Sequence, residues 1–229
     1  MTTEQNPPLD SVLSEEVQRV GEEIIDIGNL LWRRDMVASN DGNISARLSN
    51  GDIVCTPTGV SKRGMRLADL VVVDLNGNII AGDKRPSSEI KMHLRVYELA
   101  PSVRGVVHAH PTFATVYAVK GEAPPVDLVA ETVVLMPSIP IAPFAVPSTQ
   151  AVPDSITDIV PRSSVCLLEH HGALTWGGSV TEAYYHMERL EHVSKLGFYC
   201  QLAGADRSIS PQRLAQIHQV FNSDELQSS

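Results

Sequence analysis

The stretch Val106-Val107-His108-Ala109-His110 sets two histidines one residue apart at the end of an apolar run. Side chains alternate faces along a strand, so residues two apart point the same way. Two imidazoles that share a face can reach one divalent cation. A third follows a second apolar run, in Val165-Cys166-Leu167-Leu168-Glu169-His170-His171-Gly172. Three imidazoles delivered from strand ends match a catalytic zinc site, in which three protein ligands leave a coordination position open. Alternation turns His170 and His171 to opposite sides, so His171 is expected to be the ligand and His170 to sit behind it or in the core. An isolated H-x-H also occurs where histidines cap strands or close core hydrogen bonds, so the pair needs support from elsewhere in the chain.

Three short motifs add polar chemistry. Gly42-Asn43-Ile44-Ser45 and Thr56-Pro57-Thr58-Gly59 each set small polar residues and glycine in a loop beside a strand. Pro86-Ser87-Ser88-Glu89 puts two hydroxyls and a carboxylate at an expected helix start. Backbone N–H groups there are unpaired and the dipole is positive, so a phosphate can be held without a lysine. Asn43, Thr58, Ser87 and Ser88 would be the neutral donors. Taken singly, each motif also reads as an ordinary turn or helix start.

Hydrophobic periodicity outlines the elements that must position these groups. Val17, Val20, Ile24, Ile27 and Leu31 repeat at three and four behind Ser14-Glu15-Glu16 and predict a helix. Strands are expected at 44–48 and 52–56 around Asn50-Gly51, and at 71–75 and 78–81 around Asn76-Gly77. A helix from 86 to 99, a strand at 103–109 and a helix at 112–119 follow. Residues 127–136 fit helix or strand, and 139–146, with Pro140 and Pro143, an edge strand or extended loop. A helix at 148–160, a strand at 165–169, a long helix at 179–202 and a last helix at 211–221 complete the reading. In the long helix Met187, Leu190, Val193, Leu196 and Tyr199 form a core stripe, while His93, His186, His192 and His218 lie on helices at no matching spacing. This mixture suggests one α/β or α+β domain over 14–221 around a mixed or antiparallel sheet, between a disordered tail (1–13) and a polar tail (222–229).

Composition narrows the partners. The 229 residues carry 18 Lys plus Arg against 27 Asp plus Glu, a formal charge of −9, with no basic cluster. That argues against nucleic acid or an anionic membrane as partner, although a local pocket can still hold an anionic small molecule. No apolar run reaches the ~18 residues of a membrane span, and the first ten residues lack an apolar signal core. Cys55, Cys166 and Cys200 form no C-x-x-C pair, so free thiols in a reducing cytoplasm are expected.

In chain order, GNIS, TPTG, PSSE, HAH and HHG make this sequence resemble the class II aldolase and adducin family, nearest its fuculose-phosphate aldolase branch, from Glu15 to Ala203. The resemblance implies a three-layer α/β/α domain around a central, mostly antiparallel sheet. It implies zinc held by His108, His110 and His171, with Glu89 as fourth ligand at rest; such an N₃O set also admits manganese. It implies a substrate phosphate bound by Asn43, Thr58, Gly59, Ser87 and Ser88 with Asn40 nearby, and a homotetramer with sites between subunits. The implied reaction is reversible retro-aldol cleavage of a ketose 1-phosphate to dihydroxyacetone phosphate and a small aldehyde, with Glu89 as proton shuttle. Dehydratases, pentulose-phosphate 4-epimerases and oxo-acid decarboxylases share this pattern, and adducin-like modules keep the fold without the ligands. The epimerases carry a lysine-containing loop in place of TPTG and an aspartate in place of Glu89. Aldolases of the branch also use a tyrosine to protonate the aldehyde oxygen. Here Val126-Asp127-Leu128-Val129-Ala130-Glu131 and the tail from Phe221 contain none.

Overall fold

Ser14 Oγ accepts from Val17 N and starts helix α1, Glu15–Arg33, whose apolar stripe is buried as its spacing predicts. The computed structural model describes residues 6–12, 14–205 and 207–225. After α1 come the strands β1 (Asn43–Arg47), β2 (Ile53–Cys55), β3 (Val71–Val73) and β4 (Ile79–Ala81), then α2 (Ile90–Leu99) and β5 (Gly105–Ala109). Helices α3 (Thr112–Lys120) and α4 (Ala130–Leu135) lead to β6 (Ile141–Ala142), α5 (Ala151–Ser155), β7 (Val165–Leu168) and β8 (Gly172–Gly177). Two helices close the order, α6 (Val180–Ala203) and α7 (Pro211–Glu225).

The strands form an eight-stranded sheet in the order β4-β3-β2-β1-β5-β8-β7-β6. Every pairing is antiparallel except the edge pair β6–β7. Alternation along the strands separates two cores. Ile44, Ala46, Val107, Ala109 and Ala173 face α1, α3 and α6. Ile53, Val71, Val106, Leu168 and Leu174 face α2 and α5. The architecture is the α/β/α class expected, with a central sheet between helical layers.

Several local expectations change. Residues 172–177, for which the sequence predicts no element, form the central strand β8: glycines at both ends and only six residues hide its period. The segment 127–136 resolves as the short helix α4, and the Pro-containing 139–146 as the two-residue edge strand β6. Only Ala151–Ser155 of 148–160 is α-helical, followed by turns and the 3-10 helix Val160–Arg162. Nor is the N-terminal segment simply a disordered tail. Leu9–Val12 is a 3-10 helix, Leu9 is buried in the core, and Pro7 O accepts from Gly82 N at 2.9 Å. Residues 1–5 and 13 of that tail lie outside the described residues. At the other end the last helix runs past Phe221 to Glu225, so the expected polar tail begins as helix, and 226–229 lie outside the described residues. No helix among the described residues is long and apolar enough to cross a membrane.

Candidate metal centre

Strand pairing places the first two histidines. Asn43 lies opposite His108 in the β1–β5 ladder, and His108 opposite Leu174 in the β5–β8 ladder. His108 is fully buried, and its Nδ1 approaches Ala173 O at 2.9 Å. A carbonyl only accepts, so the proton sits on Nδ1 and the Nε2 lone pair faces the site. His110 stands just past the strand end, its N donating to Met36 O at 2.9 Å and its Nδ1 facing Asp41 Oδ2 at 3.7 Å. His171 comes from the β7–β8 turn. A Cβ on Gly172 would stand 2.6 Å from both Ala109 O and His110 Cδ2, so only glycine lets this turn close on β5.

The three rings form a near-equilateral set, with centroids 4.9, 4.8 and 5.0 Å apart. Their nearest ligand atoms all lie within 4.8 Å of one another, and His108 Nε2 is 3.1 Å from His110 Nε2. Zinc–nitrogen bonds of ~2.0 Å at tetrahedral angles put ligand nitrogens ~3.3 Å apart. Burial, together with the charges of His110 and His171, holds His108 well below the ordinary histidine range. Burial and then His171 lower His110, against the opposing pull of Asp41. Both shifts favour the neutral imidazole that a metal needs.

Glu89 closes the group from the residue before α2. Its Oε2 is 3.4 Å from His108 Nε2 and its Oε1 3.3 Å from His171 Nε2. Asn43 Nδ2 donates to Oε2 at 3.1 Å, while Oε1 is buried with no hydrogen-bond partner among the described residues. A buried carboxylate oxygen left in this way is costly unless a cation or proton meets it. The set of three imidazoles beside that oxygen could hold a metal ion, and its chemistry suits zinc or a neighbouring divalent cation.

The residues predicted for phosphate divide into two groups. A bridge between Pro57 and Pro86, with Thr58 N donating to Arg85 O at 3.0 Å and Ser87 N to Thr56 O at 3.2 Å, lays the TPTG and PSSE loops side by side. Thr58, Gly59 and Ser88 are exposed there, and Ser87 is half-buried. Asn40 is exposed on the neighbouring turn that precedes β1, whereas Asn43 is buried with its amide committed to Glu89. Helix α2 starts at Ile90, so Ser87 and Ser88 precede it, and the Ser87 N–H is already used. Their hydroxyls, rather than a free Ser87 N–H, are what this loop offers.

His170 is neither core nor support for the site. It is exposed, holds a left-handed φ of 55°, and its ring meets that of Phe144 at 6.3 Å. Sequence reasoning missed Asp41 and Ser148. Asp41 was visible as a carboxylate one residue before Gly42, in the loop that enters the strand paired with His108. Ser148, whose Oγ donates to Ser88 Oγ at 3.0 Å, lies in a Pro-rich loop with no periodic signal, and only the tertiary fold brings it there.

The chain belongs to the class II aldolase and adducin N-terminal domain family, whose profile matches residues 22–197. It is 34% identical over 181 residues to the L-fuculose phosphate aldolase of Methanococcus maripaludis, covering 77% of this chain and 94% of that one. The 3-oxo-tetronate 4-phosphate decarboxylase of Pectobacterium atrosepticum is 28% identical over 86% of this chain and 91% of its own. Among solved structures, an L-fuculose 1-phosphate aldolase matches with a TM-score of 0.81 at 26% identity, over 92% of this chain and 98% of that one.

Proposed function

We propose that this protein is a zinc-dependent class II aldolase. Its reaction is the reversible cleavage of a ketose 1-phosphate, of the fuculose, rhamnulose or 5-deoxypentulose type, to dihydroxyacetone phosphate and a small aldehyde. One observation carries the reading: Glu89 spans His108 and His171 at 3.4 and 3.3 Å while His110 Nε2 stands 3.1 Å from His108 Nε2. His108, His110 and His171 would hold the cation, with Glu89 as the fourth ligand at rest. Zn²⁺ in that position supplies Lewis-acid stabilisation of the negative charge that develops on the substrate oxygens. Glu89 takes and returns the proton at the carbon beside the carbonyl. Asn43 fixes one of its oxygens, and the other, beside His171, has no hydrogen-bond partner among the described residues, so the carboxylate is oriented for transfer.

Thr58, Gly59, Ser87 and Ser88 receive the phosphate, with Asn40 and Asn43 at its edge. The adjacency of the two loops supports this placement. The protein acts as a cytoplasmic homotetramer, which light scattering would test. Incubating the zinc-loaded protein with dihydroxyacetone phosphate and a panel of small aldehydes tests the activity. A ketose 1-phosphate product supports it, and no condensation with any aldehyde overturns it.

One observation favours a second reading, decarboxylation of a phosphorylated oxo-acid. Condensation requires a proton donor for the aldehyde oxygen, and residues 126–131 contain no tyrosine. Loss of CO₂ needs no such donor, and the relative from Pectobacterium atrosepticum is a decarboxylase. Carbon dioxide release from a 3-oxo acid 4-phosphate, run beside the aldehyde panel, separates the two.

A further inference from the structure

Lys62 is only 1% exposed and lies three residues beyond Gly59. An ammonium sealed from water is costly unless its donors are met, so its partners indicate why it is there. Its Nζ donates to Asn40 O at 3.1 Å and to Val60 O at 3.2 Å. Those carbonyls belong to two separate turns, one carrying Asn40 and Asp41, the other continuing from Thr58 and Gly59. The first turn leads through Gly42 into β1, and its Asp41 carboxylate faces His110. Lys62 therefore lies at the junction of the Asn40–Asp41 turn and the loop that follows Thr58 and Gly59, on the side that faces the metal centre through Asp41.

Every donor proposed for the phosphate is neutral, in a chain of net charge −9. A dianion entering such a protein gains most from a cation that water cannot screen. Burial draws the Lys62 pKa down to about 8, with Asp41 opposing, so the side chain is still cationic at neutral pH.

We propose that Lys62 is a positioning residue for the phosphate end of the site: its buried ammonium holds the 39–42 turn against the 58–60 turn and supplies the positive field that the neutral donors lack. The inference rests on the phosphate assignment above and deepens it. The group selected is a dianionic phosphate monoester in preference to an uncharged sugar.

The test uses calorimetric titration of the full-length, zinc-loaded protein with glycerol phosphate, and with glycerol as uncharged control. Lys62→Met removes charge and donors at similar volume, Lys62→Gln keeps an amide NH₂ donor group without charge, and Thr58→Val probes the loop alone. Lys62→Met is expected to weaken glycerol phosphate about tenfold or more, with zinc content unchanged. Lys62→Gln should fall between it and the parent. Should Lys62→Met fail to fold, Lys62→Gln carries the comparison. A lower unfolding midpoint with parental phosphate affinity in the lysine variants means a packing role alone and overturns the proposal. If Thr58→Val weakens phosphate while the lysine variants do not, the phosphate assignment survives and the Lys62 inference fails. If the parent does not prefer glycerol phosphate to glycerol, both fail.

Discussion

The two faces of the central sheet are made by the same strands and both bury apolar side chains, yet only one of them also carries the chemistry. Toward α1, α3 and α6, residues such as Ile44, Ala46, Val107 and Ala109 form a continuous hydrophobic layer. The alternate positions of β1 and β5, toward α2, include Asn43, Ser45 and His108, all buried. There Ser45 Oγ bonds His93 Nδ1 at 2.7 Å and Tyr97 OH at 2.9 Å, and Asn43 bonds Glu89 at 3.1 Å. Two residues of strand rise about 6.8 Å and four of helix about 6 Å, so Asn43–Glu89 and Ser45–His93 fall in step as two polar links between β1 and α2. The apolar face stabilises the domain without direction, because hydrophobic burial is non-directional. Hydrogen bonds on the polar face set where the Glu89 carboxylate points.

Substitutions on each face should separate these roles. The largest effect is expected from His108→Ala or His110→Ala, which should lose bound zinc and turnover together. Elemental analysis of purified protein that finds parental zinc in either variant would break the assignment. Glu89→Gln should keep the metal, since three imidazoles remain, and slow proton exchange at the carbon beside the carbonyl by ~10²–10⁴-fold, the usual worth of a general base. Isotope exchange followed by NMR measures this, and exchange at the parental rate would count against Glu89. On the apolar face, Ile44→Ala should cost about 2–5 kcal/mol of stability, read from denaturant midpoints, and leave zinc affinity near parental. A loss of zinc affinity there would mean that the faces are not separable.

The smallest effect concerns acid. Burial lowers the His93 pKa to about 3, against an ordinary value of 6.5. Between those limits the unfolded chain binds a proton that folded His93 refuses, so stability is full above the upper limit and falls as pH falls. One such histidine contributes a slope of about 1.4 kcal/mol per pH unit. In the metal-free protein His93→Gln should flatten the decline between pH 6 and 4; an unchanged slope would remove His93 as its source.

The legible parts of the chain are those whose signal repeats locally. The α1 stripe and the hairpin marked by Asn50-Gly51 follow from spacing and turn chemistry, and both appear where expected. His108 and His110 share a site because a strand presents residues two apart on one side. Strand β8 escaped because six residues with a glycine at each end carry little period, although its place beside β5 is what gives His108 its Ala173 partner. The helical stripe was overextended at Tyr199, which is 52% exposed, since periodicity shows which face a residue shares but not how far the covering layer extends.

By itself the amino-acid sequence determined the donors and their local presentation: imidazoles at strand ends, hydroxyls before a helix, a buried apolar face opposite them. Only the tertiary structure decided their company. The left-handed turn that sends His170 outward, the approach of Asp41 to His110, and Lys62 beneath two separate turns all depend on contacts between segments far apart in the chain. Alternation and periodicity are properties of neighbouring residues. The distances that make a metal centre arise from sheet order and from close approaches such as the one Gly172 permits.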